Sequence, residues 1–300
     1  EEPITLLDIL KEQKASKYSG GIYHKAQIDL TYNSNHIEGS RLTHDQTRYI
    51  FETNTIGVEN EVLNVDDVIE TAILFLYLPI QPNSSFPSVV QHPFTNAPIA
   101  PLNIDGSMRM LDLMKPDDLQ LWQKEMEKNL CKITDPMLLL SRVSKGYRLA
   151  FIKYVNDYLS VEDLSKLLRF AWRSVEFPNR DPNFSHSQLC QLFKECSKEL
   201  LMHKEELAAY NKLPKTIHIY RGVTSGKKKD IMSLSWTTDH DMAVWFSKRF
   251  GNKGFVCEAD IAKEDILTYW DIQGESEVIV DPRKLQNVRE ELIETEKPQL

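Results

Sequence analysis

Toward the carboxyl end, Arg221, then Ser235-Trp236-Thr237, then Glu275-Ser276-Glu277 occur in that order, each on a stretch that reads as strand or strand edge. A guanidinium can grip a diphosphate through paired, charge-assisted hydrogen bonds. A carboxylate beside a ribose stabilises the oxocarbenium-like cation that develops as a glycosidic bond breaks. The chemistry implied is gripping a dinucleotide diphosphate and cleaving its glycosidic bond. Glu275 and Glu277, two apart on a strand, are expected to project toward one face. They would divide two tasks, one holding the ribose and one handling the acceptor's proton.

The elements needed to position these residues read as α+β, helices first and strands after. Residues 1 to about 80 alternate helical periodicity with polar breaks: Thr43-His44-Asp45-Gln46 is a capping-box pattern, and Val65-Asp66-Asp67 precedes the apolar stretch Val68 to Leu78. Residues 81–106 carry prolines at 82, 87, 93, 98 and 101 and read as a linker. The organisation expected is therefore a helical region at 1–80, a Pro-rich linker at 81–106 and a further domain at 107–300. Within that last part, Lys115-Pro116-Asp117-Asp118 opens a helix, with proline in the first turn and carboxylates at the positive end of the dipole. Ser160-Val161-Glu162-Asp163 opens another, striped by Leu164, Leu167, Leu168 and Ala171, and a third is predicted from about Ser187 to Asn211. From Thr216 the period changes to two, with strands expected near 231–237, 254–260, 265–270 and 276–281 and a short helix at about 239–250.

Composition narrows the partners. A net charge of −8 and a pI near 5.6 oppose the basic surface that phosphate-backbone binding requires, so nucleic acid is not expected. The longest apolar run, Ala72 to Leu78, stops at Pro79, well short of the ~20 residues of a membrane span. Cys131, Cys190, Cys196 and Cys257 form no C-x-x-C pair and have no His at ligand spacing, so no metal site is expected; a reducing compartment fits them.

Three segments carry a more definite likeness. Ile219-Tyr220-Arg221-Gly222, Ser233-Leu234-Ser235-Trp236-Thr237-Thr238-Asp239 and Gly274-Glu275-Ser276-Glu277-Val278-Ile279-Val280 resemble the Arg–Ser–Glu signature of mono-ADP-ribosyltransferases of the cholera-toxin and clostridial C3/C2 type, over roughly residues 110 to 290. The resemblance implies a two-sheet β core and NAD as substrate. It implies that Arg221 binds the NAD phosphate, the Gly222 backbone the nicotinamide amide, and Glu277 the ribose hydroxyl. Ser235 would brace the site, and Glu275 would orient or deprotonate the acceptor. Glu at position 275 is what arginine-modifying members look like, so a protein arginine is the implied acceptor. The middle motif departs from the family in reading Ser-Trp-Thr, with the bulky Trp236 in place of a small residue.

Nearer the start, Tyr32 to Thr43 is similar to the inhibitory helix of Fic-domain AMP-transferases, with Ser34, Glu38 and Gly39 at the motif positions. Gln46 to Thr53 and Asp66 to Thr71 extend that likeness. The Fic catalytic loop opens His-Pro-Phe and continues into a glycine-rich, arginine-bearing turn. His92-Pro93-Phe94 is instead followed by Thr95-Asn96-Ala97-Pro98, which removes the backbone phosphate cradle. His92 reads as a loop histidine, and Glu38 as either a solvated helical carboxylate or a regulatory one. His218 and His240 read as strand and cap residues, Lys227-Lys228-Lys229 as a solvated turn, and Trp245 and Phe246 as packing for the short helix beneath the sheet.

The expectation is an NAD-dependent mono-ADP-ribosyltransferase of bacterial toxin or effector type, acting on arginine of a protein, in a bacterial cytoplasm or delivered to a target cell. Regulation by the N-terminal helix is a refinement of it. An NAD glycohydrolase on the same site, or a fusion that binds without turnover, are the alternatives.

Overall fold

The computed structural model describes residues 65–104, 106–224, 228–249, 254–271 and 274–292. Ser34, Glu38 and Gly39, and most of the Fic-like likeness, lie outside them. The chain is mixed helix and antiparallel sheet, compatible with the α+β expectation. It divides into two compact units, one of residues 65–163 with 170–184 and one of 164–169 with 185–292 among those described. Among the described residues no helix is long and apolar enough to cross a membrane.

Among the described residues the first unit opens with α1 (Val65–Leu76), whose first turn carries Asp66 and Asp67. It ends before Pro79, which lacks the N–H to continue the ladder. Its buried residues Val68, Ala72, Phe75 and Leu76 recur at helical spacing. Phe75 meets Phe151 edge to face at 5.4 Å. The 81–106 stretch is not the linker expected. It pairs into β1 (Gln81–Pro82) with β2 (Val90–Gln91), and β3 (Ile99–Ile104) with β4 (Ser107–Asp112). Its prolines are compatible because these two-stranded ladders leave outward N–H positions unused. The helices α2 (Pro116–Leu130), α3 (Pro136–Arg142) and α4 (Arg148–Val155) follow, and then α5 (Val161–Ser174), of which residues 164–169 belong to the second unit. Pro116 sits at the start of α2, and Ser160 caps α5 by accepting from the Asp163 N–H, as the sequence predicts.

His92 lies outside the named strands, as expected of a loop histidine, but it is also a core residue of this unit. It is fully buried, and its ring meets Trp122 edge to face at 5.6 Å. The Phe94 N–H donates to Nδ1 at 3.1 Å, which leaves the proton on Nε2, 3.1 Å from the Leu76 carbonyl. That carbonyl belongs to the last turn of α1, where helical C=O groups lack partners. Burial drives the His92 pKa down from 6.5 to about 4. The unfolded chain therefore takes up a proton that the folded one refuses. Stability is complete above pH 6.5 and declines as pH falls toward 4, by about 3 kcal/mol in all. Urea midpoints at pH 7.5 and pH 4 for the wild type and His92→Gln should show that the variant, though weaker at pH 7.5, loses less on acidification.

In the second unit, α6 (His186–Glu195), α7 (Lys198–Leu201) and α8 (Lys204–Lys212) replace the single helix predicted over 187–211. Cys196 and Met202 are extended, and the local caps explain the breaks. Ser185 and Gln188 form a capping box at α6, and Glu206 returns to the His203 backbone at α8. The strands β5 (Thr216–Val223), β6 (Ser235–Thr237), β7 (Phe255–Ala262), β8 (Ile266–Trp270), β9 (Glu277–Val280) and β10 (Gln286–Leu292) form one six-stranded sheet rather than the expected two. Its order is β10-β7-β5-β6-β9-β8, with every pairing antiparallel. The short helix α9 (His240–Lys248) follows β6.

Candidate active site

The sheet order brings the three motif segments together, because β5, β6 and β9 are consecutive neighbours although ~50 residues separate the first from the last. Tyr220 lies opposite Thr237, and Thr237 opposite Glu277, so the three occupy one cross-strand row. Ser235 lies opposite Ile279, two residues along from that row.

Arg221 follows Tyr220 on β5 and is half-buried. Its Nε donates to the Asp230 carbonyl at 3.0 Å, and its Nη1 donates to the Ser235 carbonyl on the adjacent strand. These bonds fix the guanidinium between β5 and β6. Gly222 is dictated by close approach. A Cβ at that position would lie 2.2 Å from the Ala243 carbonyl oxygen and 2.6 Å from the Ser247 amide nitrogen, both in α9. Both are backbone atoms and cannot yield locally, so Gly222→Ala should push α9 outward and cost about 2 kcal/mol or more. A drop in Tm of several degrees in a thermal melt checks this.

Trp236 is compatible with the middle motif. Its side chain is buried, and its indole N–H donates to the Ser233 carbonyl at 2.9 Å, so the large residue fills the core and leaves Ser235 half-exposed. Thr237 has a structural role that the sequence reading missed. Its Oγ1 donates to the Glu275 carbonyl at 2.7 Å and accepts from the Asp239 N–H at 3.0 Å. Asp239 then caps α9, accepting from the Asp241 and Met242 amides. The Thr-Asp pair ahead of an apolar stripe was the available signal. On α9 itself, Ala243 and Ser247 form the buried face, which turns Trp245 outward at 55% exposure instead of packing it beneath the sheet.

Glu275 is not on the strand as expected. Strand β9 begins at Glu277, and Ser276 is left-handed with φ 44°. Gly274, also left-handed at φ 80°, precedes it. The period-two rule that would align Glu275 with Glu277 therefore does not apply. The turn is instead tied to β6 by the Thr237–Glu275 bond and by the Thr238 N–H donating to the Ser276 carbonyl at 3.1 Å. Glu275, Ser276 and Glu277 are all half-buried.

No protein-family model, curated protein or solved structure matches the chain. No group of three or more His, Cys, Asp or Glu residues suited to a metal ion occurs among the described residues. A pocket of about 240 Å³ in this unit opens at the far end of β9, roughly 13 Å from Glu277 by strand rise, over Phe193, Ile266 and Leu267. Most of its charged side chains are held by partners within the protein. Lys194 lies 3.4 Å from Asp281, Lys284 lies 3.8 Å from Asp265, and Lys198 donates to the Tyr210 hydroxyl at 3.2 Å. Arg283, through its hydrogen bonds to Asp281, holds that carboxyl down at about 2. Arg221 on β5 and Glu277 on β9 lie on either side of β6, which carries Ser235, and all three residues are half-buried.

Proposed function

We propose that the second unit is an NAD-dependent mono-ADP-ribosyltransferase of bacterial toxin or effector type, directed at arginine in a protein acceptor. The observation that supports this reading is the adjacency of β5, β6 and β9, which carry Arg221, Ser235 and Glu277 respectively. In this reading the Arg221 fork holds the NAD diphosphate, and Gly222 presents its backbone to the nicotinamide amide. Glu277 holds the ribose hydroxyl and stabilises the cation that forms as nicotinamide leaves. Ser235 braces the site through the carbonyl that accepts from Arg221. Glu275 would receive the proton released when the acceptor guanidine attacks the anomeric carbon.

Incubation with labelled NAD and agmatine should transfer label to the guanidine with release of nicotinamide. Absence of both turnover and NAD binding would overturn the proposal. The turn position of Glu275 favours one second reading, hydrolysis of NAD on the same site. The two are separated by the product: free ADP-ribose in the presence of saturating agmatine identifies the glycohydrolase.

A further inference from the structure

We infer that His218 and His240, each holding carboxylates of neighbouring strands, form a pH-sensitive clasp that fixes β10 and the first turn of α9 to the β5–β7 pair. His218 stands on β5 directly opposite Asp260 of β7, and its Nδ1 lies 2.8 Å from the Asp260 carboxylate. Its Nε2 lies 3.2 Å from the carboxylate of Glu258, two residues back on β7. Ionised carboxylates only accept hydrogen bonds, so an imidazole ring serving both must donate from both nitrogens, which only the imidazolium does. Asp260 also accepts from the Asn287 side chain at 2.8 Å, which carries the connection to β10. His240, the first residue of α9, completes the clasp from above the sheet, with Nε2 2.8 Å from Glu291 of β10.

The two rings flank Tyr220 edge to face, at 4.9 Å and 5.0 Å. Other charged groups facing the cluster are Asp241 on α9, 3.8 Å from His240, and Arg289 of β10, which lies opposite Glu258. The Asp260 bond raises the His218 pKa, with Glu258 adding to it, and the Glu291 bond raises that of His240. A base whose folded pKa is raised contributes fully below its unfolded value of about 6.5, and the contribution is lost as pH rises through the folded value. Deprotonation leaves His218 with one N–H for two carboxylates, and it removes the positive charge that His240 holds beside Glu291 and Asp241.

Both pairs are near the surface, so the effect expected is modest, roughly three- to tenfold in the local opening of β10. β10 is an edge strand, where local opening needs the fewest broken bonds. The inference does not depend on the transferase reading, although α9 also covers Gly222 beside Arg221. The test is a histidine NMR titration of the whole chain from pH 5 to pH 9, with amide exchange of residues 286–292 corrected for intrinsic rates. The His218 and His240 signals, assigned by their loss in His218→Gln and His240→Gln, should titrate above 6.5. Asp260→Asn and Glu291→Gln should return them toward 6.5. Protection of β10 should fall through the same range in the wild type and be independent of pH in the double His→Gln variant. Titration at or below 6.5, or an equal pH-dependent loss of protection in the double variant, overturns the clasp.

Discussion

Glu277→Gln is expected to lower the rate of nicotinamide release from NAD by about 10²- to 10³-fold while leaving Tm within a degree or two of the wild type. Removing one preorganised electrostatic group aimed at developing charge costs on this scale. The amide keeps the shape and volume of the carboxylate, and residue 277 is half-exposed at the start of β9. Its backbone pairing with Thr237 and Trp270 does not depend on the side chain. The loss should therefore fall on the chemical step, seen in single-turnover rates with saturating NAD. Loss confined to KM would instead assign Glu277 to uniform binding of the nucleotide. A rate within threefold of the wild type would remove Glu277 from the proposed mechanism.

The largest stability effect is expected at Arg169, far from the motif residues in sequence. Arg169 donates to the two oxygens of Glu206 at 2.7 and 2.9 Å, and to the Leu201 carbonyl at 2.7 Å. Both side chains are almost wholly buried, at 7% and 6% exposure. The same Leu201 carbonyl accepts from the Trp270 indole at 2.7 Å, and the guanidinium lies 5.7 Å from the centre of that ring. Burial alone pushes the Glu206 carboxyl up, but Arg169 and the His203 amide outweigh it and hold the group below its ordinary value. Its contribution is therefore present above the unfolded pKa and lost as pH falls through the folded one. Arg169→Met leaves a buried carboxylate without its cation and should cost about 3–5 kcal/mol in urea unfolding at pH 7. The double variant Arg169→Met/Glu206→Leu should recover much of that loss, because two apolar groups of similar volume replace the pair without an orphaned charge. A double variant no better than the single one would mean that the pair does more than compensate itself.

Local signals located most of the helix starts. The apolar stripe ending before Pro79, the Pro116 opening and the Ser160 cap each act within a few residues, and each predicted its helix. The helix predicted over 187–211 failed because periodicity ran through two breaks that only capping reveals. His203 and Glu206 restart the chain, and the extended Met202 leaves the Leu201 carbonyl free for Arg169 and Trp270. The proline-rich 81–106 stretch misled for the opposite reason. Prolines mark places where a ladder is interrupted, yet short two-stranded pairs need few N–H donors, and β3–β4 accommodates Pro101 opposite Met110. His92 was legible as a residue without a catalytic loop, but its burial against Trp122 and Leu76 depends on residues remote in sequence.

The motif residues themselves were set by sequence alone: a guanidinium, a hydroxyl and two carboxylates in a fixed order, with strand periodicity around them. Order along a chain does not say which strands become neighbours. The tertiary structure decided that β5, β6 and β9 adjoin, so that Arg221 reaches the Ser235 carbonyl and Glu277 stands across from Thr237. It also separated the two glutamates, because the left-handed backbone at Ser276 breaks the alternation on which their expected shared face rested. Residue types fix what a side chain can donate, accept or charge; hydrogen bonds and packing between distant segments fix where those groups stand, and these form only in the folded chain.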